Sequence, residues 1–136
     1  MADIYSPAKR SEVMRKVHGQ DTRLELRVRS TLHRMGFRFR LHAPSLPGRP
    51  DIVLPRHRKV IFVHGCFWHQ HPRCRRSKLP ATNVDWWRKK LRRNVERDQQ
   101  SLRSLRDLGW NGHVLWECRI KRPESLVREL RRIMRG

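Results

Sequence analysis

The sequence predicts an α/β domain, a mixed β-sheet flanked by helices with a structural zinc site stapling one insert. Three observations carry that prediction. Apolar residues recur at helical spacing in some segments and fill strand-length runs in others, in the order helix, helix, strand, hairpin, insert, helix, strand, helix. The 136 residues are the size of one ordinary domain, and 37% hydrophobic content limits it to a modest core. Finally, one Cys- and His-rich insert interrupts the pattern between the hairpin and the longest helix.

Residues 6–18 read as a short charged helix with Val13, Met14 and Val17 as its apolar members and Gly19 as its stop. Thr22 and Glu25 have the spacing of a capping box, and Leu24, Val28, Leu32 and Met35 follow at helical spacing up to Gly36. Residues 37–42 (FRFRLH) alternate as a half-buried strand does. A Pro- and Gly-rich loop, 45–50, leads to two strands, Asp51 to Leu54 and Lys59 to His64, joined by a turn at Pro55–Arg58 and so antiparallel. The second is apolar on both faces, which predicts a central position. After the irregular stretch 65–82, Thr82 or Asn83 is placed to cap a helix ending before Gly109. Its stripe is Val84, Trp87, Leu91, Val95, Leu102 and Leu105. His113 to Cys118 reads as a buried strand, and Pro123 opens a last helix with Leu126, Leu130 and Ile133 facing inward.

The 33 Lys and Arg against 12 Asp and Glu leave a net charge of +21. So large an excess repels itself in a folded chain and is relieved by a polyanion, which points to nucleic acid. Charge alone fits a basic structural or RNA-associated protein as well as an enzyme. There is no apolar run of membrane-spanning length and no signal-peptide core at the N-terminus, so the thiols are expected to stay reduced.

Cys66, His71 and Cys74 have the spacing C-x4-H-x2-C, and Cys118 ends a distant strand. Thiolate and imidazole ligands select zinc, and four of them make a closed structural site. On spacing alone, His69 or His113 can stand in for His71, and the alternative for Cys118 is a plain core thiol. A second, harder site centres on Asp51. Many nucleases place Pro-Asp on one strand and Glu-x-Lys on the next; here Phe62 and His64 hold the Glu-x-Lys positions. Asp51 with the backbone carbonyl of Val63 could hold Mg²⁺, and His64 or His69 could take a proton from water. Glu25 reads first as a capping residue, with a second carboxylate near the metal as the alternative. Asp98 reads either as an intrahelical ion-pair partner or as the acid that orients a histidine.

Phe67-Trp68 and Trp86-Trp87 are adjacent aromatics among Arg75, Arg76, Lys78, Arg88, Lys89, Lys90, Arg92 and Arg93. They read either as wedges that unstack a duplex beside phosphate-binding cations or as a satellite cluster covering the insert. The stripe puts Trp87 inward and Trp86 outward.

RSEVM (10–14), DTRLE (21–25), SLPGRPDIV (45–53), VIFVHGCFWHQH (60–71), KLPAT (78–82), NVERD (94–98), LGW (108–110) and VLWEC (114–118) resemble the very short patch repair (Vsr) DNA mismatch endonuclease family. They keep the family's order over nearly the whole chain. The resemblance implies a restriction-endonuclease-like fold in a single domain, 1–136, with an N-terminal DNA-contacting helical arm at 1–20. It implies Mg²⁺-dependent nicking of one strand 5′ to the thymine of a T:G mismatch. On it Asp51 is the principal Mg²⁺ ligand with the Val63 carbonyl, and His69 is the general base. His64, Glu25 and Asp98 support them, and Cys66, His71, Cys74 and Cys118 bind structural Zn²⁺. Phe67, Trp68 and a helix-start tryptophan, Trp86 or Trp87, enter the duplex from one groove and Met14 from the other. Arg15, Lys16, Lys89 and Arg93 contact DNA. The implied partner is double-stranded DNA carrying a T:G mismatch, with other mismatch-repair proteins as further candidates. The implied setting is a monomer in the bacterial cytoplasm, on the nucleoid when acting, with no membrane partner. The chain departs from the family in a loop one residue longer before Cys74, which brings Trp87 into the helix-start register, and in Val63 where Thr is familiar.

Overall fold

The computed structural model describes residues 23–135. The expected helix over 6–18, the arm at 1–20 with Met14, Arg15 and Lys16, and Thr22 of the capping box lie outside the described residues. Helix α1, Arg23–Arg34, buries Val28 and Leu32 together with Glu25 and Thr31. It stops at Gly36, whose φ of 89° lets the Phe37 amide reach the Leu32 carbonyl and the Gly36 amide reach that of His33. That pair of bonds is the left-handed glycine stop expected from the sequence.

Four strands follow: β1 (Arg40–Leu41), β2 (Ile52–Leu54), β3 (Lys59–His64) and β4 (Asn111–Trp116). The sheet order is β1-β2-β3-β4, antiparallel for the first two pairings and parallel for β3 with β4. The all-apolar β3 is therefore interior, as its sequence requires. The strand expected over 37–42 is pared to two residues. Phe37 and Phe39 pack onto the core, and His42 takes φ 46°, which turns the chain out of the ladder. The last strand begins earlier than His113 and ends before Cys118. Its ladder matches β3 from Lys59↔Asn111 to His64↔Trp116, and residues Glu117–Arg119 turn away as a short 3-10 helix.

Helix α2, Val84–Asp107, makes the crossover between the parallel strands, and α3, Pro123–Arg135, closes the chain. Of the two expected caps of α2, Asn83 holds the cap position but does not act through its side chain. That residue sits at φ 57° with no side-chain cap hydrogen bond, and only its carbonyl engages, accepting the Trp87 amide. Gly109, at φ 88°, ends α2 in the same way that Gly36 ends α1.

The alternation of the strands divides the core. Ile52, Leu54, Ile61 and Leu115 face α1 and α3, meeting Val28, Leu32, Leu126, Leu130 and Ile133. Val53, Val60 and Phe62 face α2 at Leu105, with Leu102 and Trp110 beside them. Lys59 is buried on the first side and donates from Nζ to the Ile133 carbonyl at 2.7 Å, satisfying an end of α3.

The 45–50 loop presses on α2 at Gly48. A Cβ there would lie 2.7 Å from Ser101 Cβ and 3.2 Å from the Phe62 ring, at a φ of 76°. Gly48→Ala is expected to cost roughly 1–3 kcal/mol in thermal or denaturant unfolding. A melting curve matching that of the unchanged protein would remove this contact as a constraint.

Candidate active site and metal centre

The carboxyl end of β3 and the insert that follows it bring the chemistry together. His64 is the last residue of β3, Cys66 follows two positions later, and the chain then folds tightly. The His69 amide reaches the Gly65 carbonyl, and the His71 amide reaches that of Cys66 at 2.9 Å. Ser77 Oγ donates to the Cys66 carbonyl at 3.1 Å or that of His71 at 2.7 Å, and Gln70 Nε2 donates to the Phe67 and Ser77 carbonyls.

Ligand atoms of Cys66, His71, Cys74 and Cys118 all lie within 4.8 Å of one another. His71 Nδ1 is 3.4 Å from Cys118 Sγ and 3.7 Å from Cys66 Sγ. A tetrahedral zinc with ordinary Zn–S and Zn–N bonds separates such atoms by about 3.5 Å, so the donor set fits a structural zinc in size and in chemistry. Burial pushes the Cys66 thiol up to about 12, so the thiolate form needs a cation beside it. Burial, and then Arg119, push the His71 imidazole below its ordinary range, leaving the neutral form that ligates metals. The ring lies flat against Trp116 at 4.3 Å. The structure thus chooses among the three candidate histidines: His69 faces Asp98 and His113 lies within β4. Glu117, which the sequence did not single out, accepts the Cys66 amide through Oε1 at 3.3 Å.

Two further groups gather where β2 and β3 begin and end. His64, His69 and Asp98 form one, and Glu25, His42 and Asp51 the other. His69 Nδ1 is 2.7 Å from Asp98 Oδ2, across from the insert to α2. A carboxylate only accepts, so Nδ1 carries the hydrogen and Nε2 is the basic nitrogen. His64 lies parallel to His69 at 3.7 Å, and its Nδ1 is buried with no hydrogen-bond partner among the described residues. Burial, then the neighbouring His69, push its imidazole down to about 3 against the pull of Asp98. It is a neutral plate beside His69, and a neutral neighbour does not oppose a proton arriving on His69.

Asp51 precedes β2 and accepts the Val63 amide through Oδ2 at 2.7 Å. Burial raises its carboxyl to about 6, with the Val63 amide opposing and Glu25 adding to the rise. Glu25 is buried on α1 and lies 3.6 Å from Arg29, one turn further along. Arg29 in turn reaches His42 Nε2 at 2.9 Å. The sequence reading missed both residues. The Glu25–Arg29 spacing was legible as an i,i+4 pair. His42 was hidden by the alternation of FRFRLH, since its left-handed backbone has no signature in a histidine.

Phe67, Trp68, Trp86 and Trp87 form one aromatic group. Phe67 meets Trp68 at 5.1 Å and Trp87 at 5.4 Å, and Trp86 stands edge-on to Trp87 at 4.9 Å. Trp86 is 55% exposed and Trp87 8%, the orientation the helical stripe gave. Trp87 supports the insert from below, and Asn94 Nδ2 bonds the Trp68 carbonyl from the same helix. Lys89 and Arg93 are exposed on α2.

A carboxylate-tethered histidine, a cluster of two acids and a histidine beside it, and the basic face of α2 are the parts of a nucleic-acid-cleaving enzyme. A family model described as DNA mismatch endonuclease Vsr matches residues 2–76. The type II nicking enzyme V.XorIIP of Xanthomonas oryzae pv. oryzae is 46% identical over 134 residues, 98% of either chain. The DNA mismatch endonuclease Vsr of Escherichia coli is 45% identical over 129 residues, 95% of this chain and 82% of the relative. The type II nicking enzyme V.NmeAIP of Neisseria meningitidis is 39% identical over 135 residues, 99% of this chain and 96% of the relative. The chain belongs to the Vsr family of DNA mismatch endonucleases. It is a DNA endonuclease, and none of its described helices is long and apolar enough to cross a membrane.

Two measurements follow from this geometry. In protein prepared with zinc, His71→Ala is expected to retain less of the metal and to melt lower than the unchanged protein, whereas His69→Ala is expected to retain as much; the opposite pattern in metal analysis would reverse the two roles. The raised Asp51 carboxyl also sets a sign. A carboxyl at about 6 folded and 3.8 unfolded favours the folded state below 3.8, and that stabilisation is lost as pH rises through about 6. Without added divalent cation, Asp51→Asn should therefore be more stable than the unchanged protein at about pH 8. The gain is on the order of 1–3 kcal/mol and narrows as pH falls towards about 5. Equal stability at both pH values would mean that Asp51 carries no desolvation cost.

Proposed function

We propose that this chain nicks one strand of double-stranded DNA 5′ to the thymine of a T:G mismatch left by 5-methylcytosine deamination, initiating very short patch repair. The reaction is Mg²⁺-dependent phosphodiester hydrolysis by a single restriction-endonuclease-like domain spanning 1–136, working as a monomer in the bacterial cytoplasm on the nucleoid. The observation that carries this reading is the His69–Asp98 contact set beside the Asp51 cluster, in a member of a mismatch-endonuclease family.

Asp51 and the Val63 carbonyl would hold the Mg²⁺, with Glu25 near its water shell. In an extended strand the N–H and C=O of one residue point to the same edge, so the amide that bonds Asp51 supports a carbonyl on the same side. Bound there, Mg²⁺ supplies positive charge to the phosphate. His69 takes the proton of the attacking water at Nε2, and Asp98 holds the ring and balances the charge it gains. Neutral His64 fixes the ring from its flat side. Zn²⁺ on Cys66, His71, Cys74 and Cys118 keeps the insert closed, so that His69 stays at this distance from the acids. Trp86, with Phe67 and Trp68 and with Trp87 behind them, is the wedge that opens the stack, joined by Met14 from the N-terminal arm. Lys89, Arg93, Arg15 and Lys16 contact phosphates. Other mismatch-repair proteins are candidate partners.

The test is strand-resolved nicking of duplexes carrying every mismatch in many flanking contexts, with Mg²⁺. T:G is expected to be cut fastest, on the thymine strand. Asp51→Ala should abolish nicking, and His69→Ala should slow it about 10²–10⁴-fold. If the unchanged protein and Asp51→Ala both leave every duplex intact, the chain is a non-catalytic, zinc-stapled nucleic-acid-binding protein instead.

A further inference from the structure

Arg29 lies on the buried face of α1 between two groups that the catalytic reading leaves unconnected. Its guanidinium is 3.6 Å from Glu25 Oε2 and 2.9 Å from His42 Nε2. A guanidinium only donates hydrogen bonds, so His42 Nε2 accepts and the hydrogen of the ring is on Nδ1. The imidazole is thereby fixed in one tautomer. It comes from a different part of the chain, at a left-handed turn (φ 46°) where the His42 amide bonds the Asp51 carbonyl at 3.3 Å. That turn holds a nitrogen of His42 within 4.8 Å of carboxylate oxygens of both Glu25 and Asp51. The fork of Arg29 therefore locks α1 to the β1–β2 connection at the point where two acids from those elements converge.

We propose that Arg29 and His42 are positioning residues that pre-form the Glu25–Asp51 carboxylate pair for the divalent cation. Two acids this close, Glu25 buried and Asp51 half-buried, repel, and without a cation each gains by turning away. Arg29 offsets the charge of Glu25 and holds it in place. His42, oriented by Arg29, spans the space between Glu25 and Asp51. One guanidinium nitrogen, Nη2, makes both contacts, a hydrogen bond to His42 and an ion pair to Glu25.

The inference rests on the reading of Asp51 as a cation ligand, and its test separates the two. Binding of Mn²⁺ to the zinc-loaded protein without DNA is measured by titration calorimetry, alongside the Mg²⁺ concentration that gives half-maximal nicking. Removing a positive charge beside a cation site strengthens binding by Coulomb's law alone. Loss of a positioning partner weakens it, typically by 10–100-fold for groups behind a metal ligand. Arg29→Met is expected to weaken Mn²⁺ binding at least roughly tenfold and to raise the half-maximal Mg²⁺ concentration in parallel. His42→Ala should do the same, and His42→Gln, which keeps an acceptor for Arg29 and a donor for the acids, should restore most of the affinity. Unchanged or tighter binding in Arg29→Met overturns the proposal. If that variant fails to fold, the two His42 variants decide: equal affinity in both, whether as tight as the unchanged protein or equally weak, overturns it. If Asp51→Asn binds Mn²⁺ as the unchanged protein does, the reading of Asp51 fails and this inference falls with it. If binding depends on Asp51 but not on residues 29 and 42, only this inference falls.

Discussion

The soft-ligand cluster of Cys66, His71, Cys74 and Cys118 is the constraint on which the rest of the site depends. Residues 65–82 contain only a short 3-10 turn, Arg75–Ser77, and have no sheet ladder to hold them. A stretch of that length loses its shape unless something closes it. Three of the four ligands lie within it, and the fourth, Cys118, sits just past the end of β4. Closing the cluster ties the insert to the sheet at the strand beside β3. The hydrogen bonds of Ser77 and Gln70 then fix its interior. His69, Phe67 and Trp68 all hang from this closed loop.

From that anchor the insert reaches α2 by two polar links, His69 to Asp98 and the Trp68 carbonyl to Asn94, and by the packing of Phe67 and Trp68 on Trp87. One helix therefore supports both the histidine and the aromatic surface. The opposite side of the site is built by α1 and the β1–β2 connection, which supply Glu25, Arg29, His42 and Asp51. The site thus lies between the two faces of the sheet, and the charges within it are unequal in burial. Asp51 is costly to ionise, whereas His64 is kept neutral beside the histidine that Asp98 holds. A carboxyl whose ionisation costs the fold is one in which some stability is given up at a functional site.

Much of the fold was legible because its signals are local. Gly36 and Gly109 stop their helices with the same left-handed geometry, the hairpin turns at Pro55–Arg58, and β3 reads as central from its unbroken apolar run. The errors lie where a tertiary partner sets the limit. The last strand is displaced towards Asn111 because it ends where its partner β3 ends, and no property of Glu117 or Cys118 announces this. The first strand is short because His42 turns out to meet the acids. Asn83 fails as a side-chain cap because its own backbone is left-handed.

The sequence by itself limited the class of chemistry: a basic chain for a polyanion, thiols and imidazoles suited to a soft metal, an acid and histidines suited to hydrolysis. Residue type fixes what an atom can donate, accept or ligate, and spacing fixes which face it occupies. Only the tertiary structure decided that His71 rather than His69 joins the thiols, that Asp98 faces His69 rather than a neighbouring arginine on its helix, and that Arg29 and His42 stand behind the carboxylates. Those choices depend on distances between elements far apart in the chain, and periodicity within one element carries no information about them.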